Sequence, residues 1–160
     1  MLTTVVERLK IQFSNSILEI REFRDETTIH IKKEDIVRVC AFLRDDESCL
    51  FNYCSDICGA DAYSPENRFE VIYNLYSLSY KHRIRLKVFI DESDLHCPSV
   101  ISVWPGANWP ERETYDMLGI IFDGHNDLRR MYMPEEFEYF PLRKDFPMMG
   151  VPDSIPLPRK

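Results

Sequence analysis

The sequence predicts an α+β fold in which helices pack on one face of a mainly antiparallel sheet and an extended arm follows at the C-terminus. Three observations lead there. Hydrophobic spacing switches between helical and alternating periods in the order α-β-β-α-β-β-β-α, with connections too short for crossover helices between neighbouring strands. One segment, Arg83–Ile90, alternates cleanly, with Ile84, Leu86, Val88 and Ile90 on one side and Arg83, Arg85 and Lys87 on the other, as a sheet with one covered face requires. The last twenty residues hold five of the ten prolines, which neither a helix nor an inner strand tolerates. With 160 residues the chain can bury roughly 70% of its unfolded surface around one core. The expected division is one α+β domain over residues 1–140 and a docking arm over 141–160.

Thr4–Gln12 reads as a helix: Thr4 and Glu7 form a capping-box pattern, and Val5 or Val6, Leu9 and Phe13 make a stripe. Ile17–Phe23 and Thr27–Ile31 alternate on either side of Arg24-Asp25-Glu26 and predict a hairpin. Glu34–Leu43 returns to helical spacing through Ile36, Val39, Cys40 and Leu43. A strand is expected at Cys49–Ile57, then a turn-rich connector at Ala60–Asn67. Arg68–Ser79 is apolar on both sides and should be central.

Composition removes several function classes. A net charge of −7 argues against nucleic acid or anionic lipid as the main partner. The acidic, weakly apolar N-terminus does not read as a signal peptide, and no window approaches the ~18 apolar residues of a membrane span, so membrane association is expected only through partners. The five glycines form no phosphate-binding loop. Cys49, Cys54, Cys58 and Cys97 approximate an iron–sulfur spacing but miss it, and the intervening residues are strand-forming; Cys54 and Cys58 would then share a strand face as small apolar fillers. His82 and His96 are not placed to converge on a metal with Cys97.

The densest information lies in Asn108–Pro147. Asn108 is a good N-cap with Glu111 three residues on, Pro110 fits a first turn, and Gly119 supplies a left-handed terminator, so a helix is expected over Trp109–Leu118. Arg112, Glu113 and Asp116 share one side of it, while Trp109, Met117 and Leu118 can face a core. An Asp123-Gly124 turn follows, then His125, Asp127, Arg129 and Arg130. Adjacent arginines in an extended segment point to opposite faces, so one is expected inside against Glu111, Glu113 or Asp116. The arm from Pro141 carries four basic and two acidic side chains, +2, which leaves −9 for the preceding residues. It is rich in apolar side chains yet unable to form regular structure, as an arm that orders against another protein would be. Its anchor is Pro141-Leu142-Arg143-Lys144-Asp145-Phe146, with Leu142 and Phe146 buried and Arg143 and Asp145 paired at an interface.

ERETYDMLGI, GHNDLRRMYMPEEF and PLRKDFP, in that order, resemble the signature of the thirty-kilodalton subunit family of respiratory complex I, which comprises the C subunits of bacterial NADH-quinone oxidoreductases and the J subunits of plastids. YNLYSLSYKHRIRLKVFI and PSVISVWPGANW extend the resemblance over more than half the chain. Asn126 stands where the family more often has proline and Phe146 where it often has tyrosine, and the length is nearer the compact plastid-like forms. The resemblance implies a structural subunit without cofactors of its own, in the peripheral arm of a proton-translocating complex, peripheral to the cytoplasmic face of the cell inner membrane, or on the thylakoid or matrix side in an organelle. Flavin, iron–sulfur clusters and quinone would belong to partners, among them the quinone-site large subunit and the small subunit with the terminal iron–sulfur cluster. Glu111, Arg112, Glu113, Asp116, Gly119, His125, Asp127, Arg129, Arg130 and the anchor would then fix the motif and its interface. Two other readings stand beside it: the equivalent subunit of a complex fed by ferredoxin or of hydrogenase type, and a metal or iron–sulfur carrier. An enzyme using Glu111 or Glu113 as general base with His125 or Arg130 is disfavoured, because first-turn helix carboxylates usually have lowered pKa values.

Overall fold

The computed structural model describes residues 2–151. The elements run α1 (Leu2–Gln12), β1 (Ile17–Phe23), β2 (Glu26–Ile31), α2 (Ile36–Asp45), β3 (Tyr53–Asp61), β4 (Phe69–Ser77), β5 (His82–Ile90), β6 (His96–Pro98), α3 (Asn108–Leu118) and β7 (Ile121–Asp123). β1 to β5 form one sheet in the order β1-β2-β5-β4-β3, and β6 and β7 pair parallel in a second, two-stranded sheet. The fold class is the α+β arrangement expected from the sequence. The sheet is antiparallel except for β2 and β5, which run parallel with Ile29 opposite Leu86 and Ile31 opposite Val88.

The core lies on one face of the large sheet. Ile29 and Ile31 of β2, Leu86 and Val88 of β5, and Val71, Tyr73 and Leu75 of β4 share a buried cluster with Val5, Leu9 and Phe13 at α1 and Ile36, Val39, Cys40 and Leu43 of α2. Each such aliphatic side chain contributes about 1.5–3 kcal/mol on leaving water, which is why the helical stripes rather than intrinsic propensity hold α1 and α2 in place. β5 alternates as expected. β4 alternates too, rather than being apolar on both sides: Phe69, Val71, Tyr73, Leu75 and Ser77 are buried while Glu70, Ile72, Asn74 and Tyr76 are half-covered on the open face. β2 shows the reverse departure. It is buried from Thr27 to Ile31, because strands flank it on both sides and Thr28 and His30 lie opposite Arg85 and Lys87.

Other boundaries move for local reasons. α1 already includes Leu2, so Thr4 lies within its first turn and is not its cap. β3 starts at Tyr53 rather than Cys49. Leu50 has a positive φ of 45°, which breaks the extended run, while Cys49 and Phe51 are buried from the loop. β3 then continues through Asp61, so the connector is shorter than Ala60–Asn67. A bulge between Cys54 and Asp56 turns the strand over: Cys54 lies opposite Leu75 and packs on the core, whereas Cys58 lies opposite Ile72 on the open face. The two thiols do not share a face. β6 and β7 are too short, and too rich in proline and aspartate, to register as strands in the sequence.

α3 lies against β3, and Gly59 permits it. A Cβ there would come within 2.4 Å of Leu118 Cδ1 and 2.7 Å of Thr114 Cγ2. Gly59→Ala is therefore expected to lower unfolding stability by about 1–3 kcal/mol through overpacking. Adding Leu118→Ala should recover part of that loss, and urea unfolding of the single and double variants measures the coupling.

Candidate interaction site

The motif residues assemble around the two ends of α3. Its start differs from the capping box expected. Asn108 is helical, with φ −48° and ψ −48°, because a 3₁₀ turn at Pro105–Ala107 runs directly into the helix and its amide bonds Pro105 O. No side chain caps α3. Glu111 is instead fully buried; Ser99 Oγ donates to its Oε2 at 2.5 Å and the Val100 amide to its Oε1 at 2.8 Å. Burial pushes its pKa up to about 7 against those two hydrogen bonds, the opposite of a dipole-stabilised first-turn acid. Trp109, expected in the core, is 59% exposed with the Arg112 guanidinium 5.1 Å from its ring centroid, while Met117 and Leu118 are buried as expected. Glu113 faces solvent.

At the other end of α3, Asp116 is fully buried and saturated. Its Oδ1 accepts from Arg130 Nη1 at 2.7 Å, and its Oδ2 accepts from the amides of Met131, Tyr132 and Met133 at 2.9, 2.7 and 3.1 Å. Burial raises its pKa, but the amides of Tyr132 and Met133, then Arg130 and the Met131 amide, outweigh burial and hold the carboxyl below its ordinary range. Arg130 is thus the inward arginine. It also donates to the Asp116 and Tyr139 carbonyls at 3.1 and 3.2 Å, with its guanidinium near the Phe137 and Phe140 rings. Arg129 points out and pairs with Asp127 at 2.9 Å. Arg112 does not pair with Asp116. It donates to the Arg129 and Arg130 carbonyls at 3.1 and 3.2 Å, and lies 3.7 Å from Asp127. His125 Nδ1 accepts from the Asp127 amide at 3.0 Å, which assigns the ring proton to Nε2, 3.1 Å from the Asn108 carbonyl oxygen.

Gly119 ends α3 as expected, at φ 80° with its amide bonded to Tyr115 O at 2.8 Å. It does more than that. A Cβ there would lie 2.6 Å from Arg143 Nη2 and 2.7 Å from the Phe140 ring, so the absent side chain also seats the C-terminal anchor. Arg143 donates to Leu118 O at 2.7 Å between the Phe69 and Phe140 rings. The Leu142 amide bonds Met117 O, and Lys144 N donates to Asp61 Oδ2 at 2.8 Å. Asp145 meets Arg68 at 3.0 Å, and Arg68 also bridges Asp61 at 2.9 Å and Glu92 at 2.5 Å. Arg143 and Asp145, expected at an interface with another protein, are engaged within the chain. Leu142 is exposed, and Phe146 is half-buried against Phe137 and Tyr139. Pro141 is half-buried and Lys144 exposed. Burial raises the Asp61 pKa, but Arg68 and the Lys144 and Tyr63 amides overcome this and bring it down to about 2.

Asp61, Arg68 and Ser99 were missed by sequence reasoning. Asp61 and Arg68 reach Lys144 and Asp145 more than seventy residues away, and Ser99 lies on irregular chain, with no spacing signal. The sequence signal available for Asp61 and Arg68 was only an Asp and an Arg at the ends of adjacent strands. Among the described residues, no group of three or more His, Cys, Asp or Glu side chains is placed to hold a metal ion. Nor is any helix among them long and apolar enough to cross a membrane.

A family model described as the 30 Kd subunit of respiratory-chain NADH dehydrogenase matches residues 29–152. The chain belongs to that family. The C subunit of NADH-quinone oxidoreductase from Roseiflexus sp. (strain RS-1) is 48% identical to the chain over 145 residues, covering 91% of this chain and 83% of the relative. The same-named protein of Geotalea uraniireducens (strain Rf4) is 44% identical over 151 residues, covering 94% of this chain and 90% of the relative. Among solved structures, the trypsin-resistant fragment (1–134) of Nqo5 superposes with TM-score 0.64 at 30% identity, covering 79% of this chain and 98% of the fragment. An archaeal membrane-bound sulfane sulfur reductase contains a chain of the same fold, with TM-score 0.77 at 21% identity, covering 92% of this chain and 86% of that one.

Removing Arg130 leaves a buried carboxylate with amide donors and no cation. Arg130→Ala is expected to lower stability by about 3 kcal/mol, measured by urea unfolding at pH 7. Asp61 makes an acid-limb prediction. Its folded pKa is depressed from 3.8 to about 2, so its stabilising contribution is complete above pH 4 and lost as pH falls towards 2. Asp61→Asn should remove about 2 kcal/mol at neutral pH and flatten the acid limb of the pH–stability curve.

Proposed function

We propose that this chain is the C subunit of an NADH-quinone oxidoreductase, a structural component that presents a pre-ordered surface to its neighbours in the peripheral arm and carries no active site of its own. The observation behind this reading is the way the motif spends its charges. Asp116, Arg130 and Arg112 each have their donors or acceptors satisfied inside the chain, at distances that leave no free acid–base pair facing a cleft. Around them stand Trp109, Tyr132, Tyr139 and Leu142, exposed, with Met148 and Met149 almost wholly so. Aromatic and methionine side chains held on a rigid base are suited to a protein interface rather than to turnover.

Membership of the thirty-kilodalton family and relatives named as the C subunit of NADH-quinone oxidoreductase support the same assignment. The partners we propose are the quinone-site large subunit, the small subunit with the terminal iron–sulfur cluster, and other peripheral-arm subunits. Flavin, iron–sulfur clusters and quinone would reside in those partners, and the chain would sit at the cytoplasmic face of the cell inner membrane through them. Residues 141–160 serve as the docking arm, clasped to the domain by Arg143 and Asp145 and offering residues 148–160 to a neighbour.

Affinity purification of the tagged full-length chain from mildly solubilised native membranes tests the assignment. Co-recovery of quinone-site, iron–sulfur and membrane subunits supports it; a flavin-bearing module that oxidises NADH distinguishes it from a complex with another donor, and recovery of the chain alone overturns it. Truncation separates the arm's two parts. Deleting 148–160 is expected to leave the melting temperature unchanged while lowering co-recovery, whereas deleting 141–160 lowers both, because Arg143, Lys144 and Asp145 go with it.

A further inference from the structure

Glu111 has no part in the docking surface, yet it is the most unusually placed ionisable group described. It is fully enclosed, and among the described residues its two oxygens meet only the Ser99 hydroxyl and the Val100 amide. Both belong to the connector between β6 and α3, whose first residue is tied to β7 by Ser99 N donating to Asp123 O at 2.9 Å and whose Ile101 amide bonds Ser99 Oγ at 3.2 Å. The carboxyl therefore joins the first turn of α3 to the chain that leads into it.

Among the described residues, the ionisable groups of the neighbouring elements that face Glu111 are uncharged and offer its anion no cation. The ionisable groups facing it are Cys40 of α2, Cys54 of β3, Tyr73 of β4 and Cys97 of β6, all weak acids whose pKa values burial raises further. The basic side chains of the flanking elements are committed elsewhere. Arg44 of α2 holds the Val103 carbonyl at 2.7 Å and Asp45; Lys33 pairs with Asp94; His96 of β6 pairs with Asp123 of β7 at 2.8 Å; Arg112 on α3 itself serves the Arg129 and Arg130 carbonyls. An uncompensated anion in a closed apolar site is expelled or neutralised.

We propose that Glu111 is a proton-operated latch: protonated, it closes the Ser99–Trp104 connector onto the first turn of α3, and ionised, it draws water into that seam and loosens both. The serine makes the latch tolerant of the proton. A hydroxyl can donate to the carboxylate or accept from the carboxylic acid at the same 2.5 Å separation, so the closed form keeps both contacts when Glu111 is neutral. Ionisation leaves the two donors in place without a cation and so favours solvent entry. The exposed Trp109 and the chain into α3 are part of what moves.

The direction of the pH dependence is set by where the carboxyl ionises in each state. The unfolded carboxyl ionises near 4.5 and the buried one at about 7, so the folded chain holds more protons between those values, and Glu111's contribution, complete below about 4.5, declines as pH rises and is lost by about 7. This is the reverse of the Asp61 limb, and it is isolated by comparing wild type with Glu111→Gln, whose amide accepts from Val100 and donates to Ser99 without ionising.

The experiment is thermal unfolding of both full-length chains at pH 4 and pH 8, with amide hydrogen exchange at Val100 and Ile101 from pH 4 to 8. The melting temperatures are expected to coincide at pH 4 and to separate at pH 8 in favour of Glu111→Gln. The Val100 protection factor of wild type should fall by up to about tenfold per pH unit between about 4.5 and 7, level off above that, and stay constant in the variant. A gap between the two chains that is equal at both pH values overturns the proposal, as does identical protection. If Glu111→Gln does not fold, carboxyl-carbon NMR titration of wild type decides: a Glu111 midpoint near neutrality supports the latch, and one in the ordinary carboxylate range overturns it.

Discussion

The contact on which the C-terminal third depends is the buried carboxylate of Asp116. Residues 131–133 have neither a strand partner nor a helix, so their amides would be left without acceptors on leaving water. Asp116 Oδ2 accepts all three, and its Oδ1 holds the guanidinium that then collects two carbonyls and two aromatic rings. One side chain at the end of a helix thus replaces a whole stretch of ladder hydrogen bonding. The charge is tolerated because it is answered on every side, unlike Glu111 one helical turn and a half away, where burial meets only two donors.

The anchor repeats the logic at lower burial. Gly119, Arg143 and Phe140 interlock at the end of α3, and Asp61 with Arg68 holds the next two residues to the edge of the large sheet. The C-terminal segment is therefore fixed both to the end of α3, through Gly119, and to β3, through Asp61, while Gly59 seats α3 itself on β3. Irregular chain positioned in this way keeps its exposed side chains in one arrangement without a partner, which reduces the ordering cost when a partner arrives.

Periodicity alone makes most of the fold legible. α1, α2, the β1–β2 hairpin and the alternation of β5 come from spacing, because each buries one stripe or face on a single core. What spacing could not carry was non-local. The bulge that turns Cys54 and Cys58 to opposite faces depends on how β3 registers against β4, and the complete burial of Thr28 and His30 depends on β5 arriving beside β2. In the site, the inward arginine and the terminating Gly119 were visible because adjacency in an extended chain and left-handed φ are local properties. The capping box at Asn108 was not what it looked like. Its sequence pattern is genuine, but the preceding 3₁₀ turn supplies the helix start and frees Glu111 to turn inward to Ser99, a partner that no local rule selects.

The parallel pairing of β2 with β5 also sets an order of events. Ile29 finds Leu86 only after more than fifty intervening residues have been made, and those residues form α2 and the β3-β4-β5 meander, whose own pairings are nearly all local. The meander can close on itself early, whereas the N-terminal hairpin has no seat until β5 is present to receive it. During synthesis from the N-terminus, the first thirty residues must therefore wait, with Ile29 and Ile31 uncovered, until the chain has passed Ile90. The segment made first is the segment finished last, and an interruption anywhere before β5 leaves an adhesive hairpin rather than a partial domain.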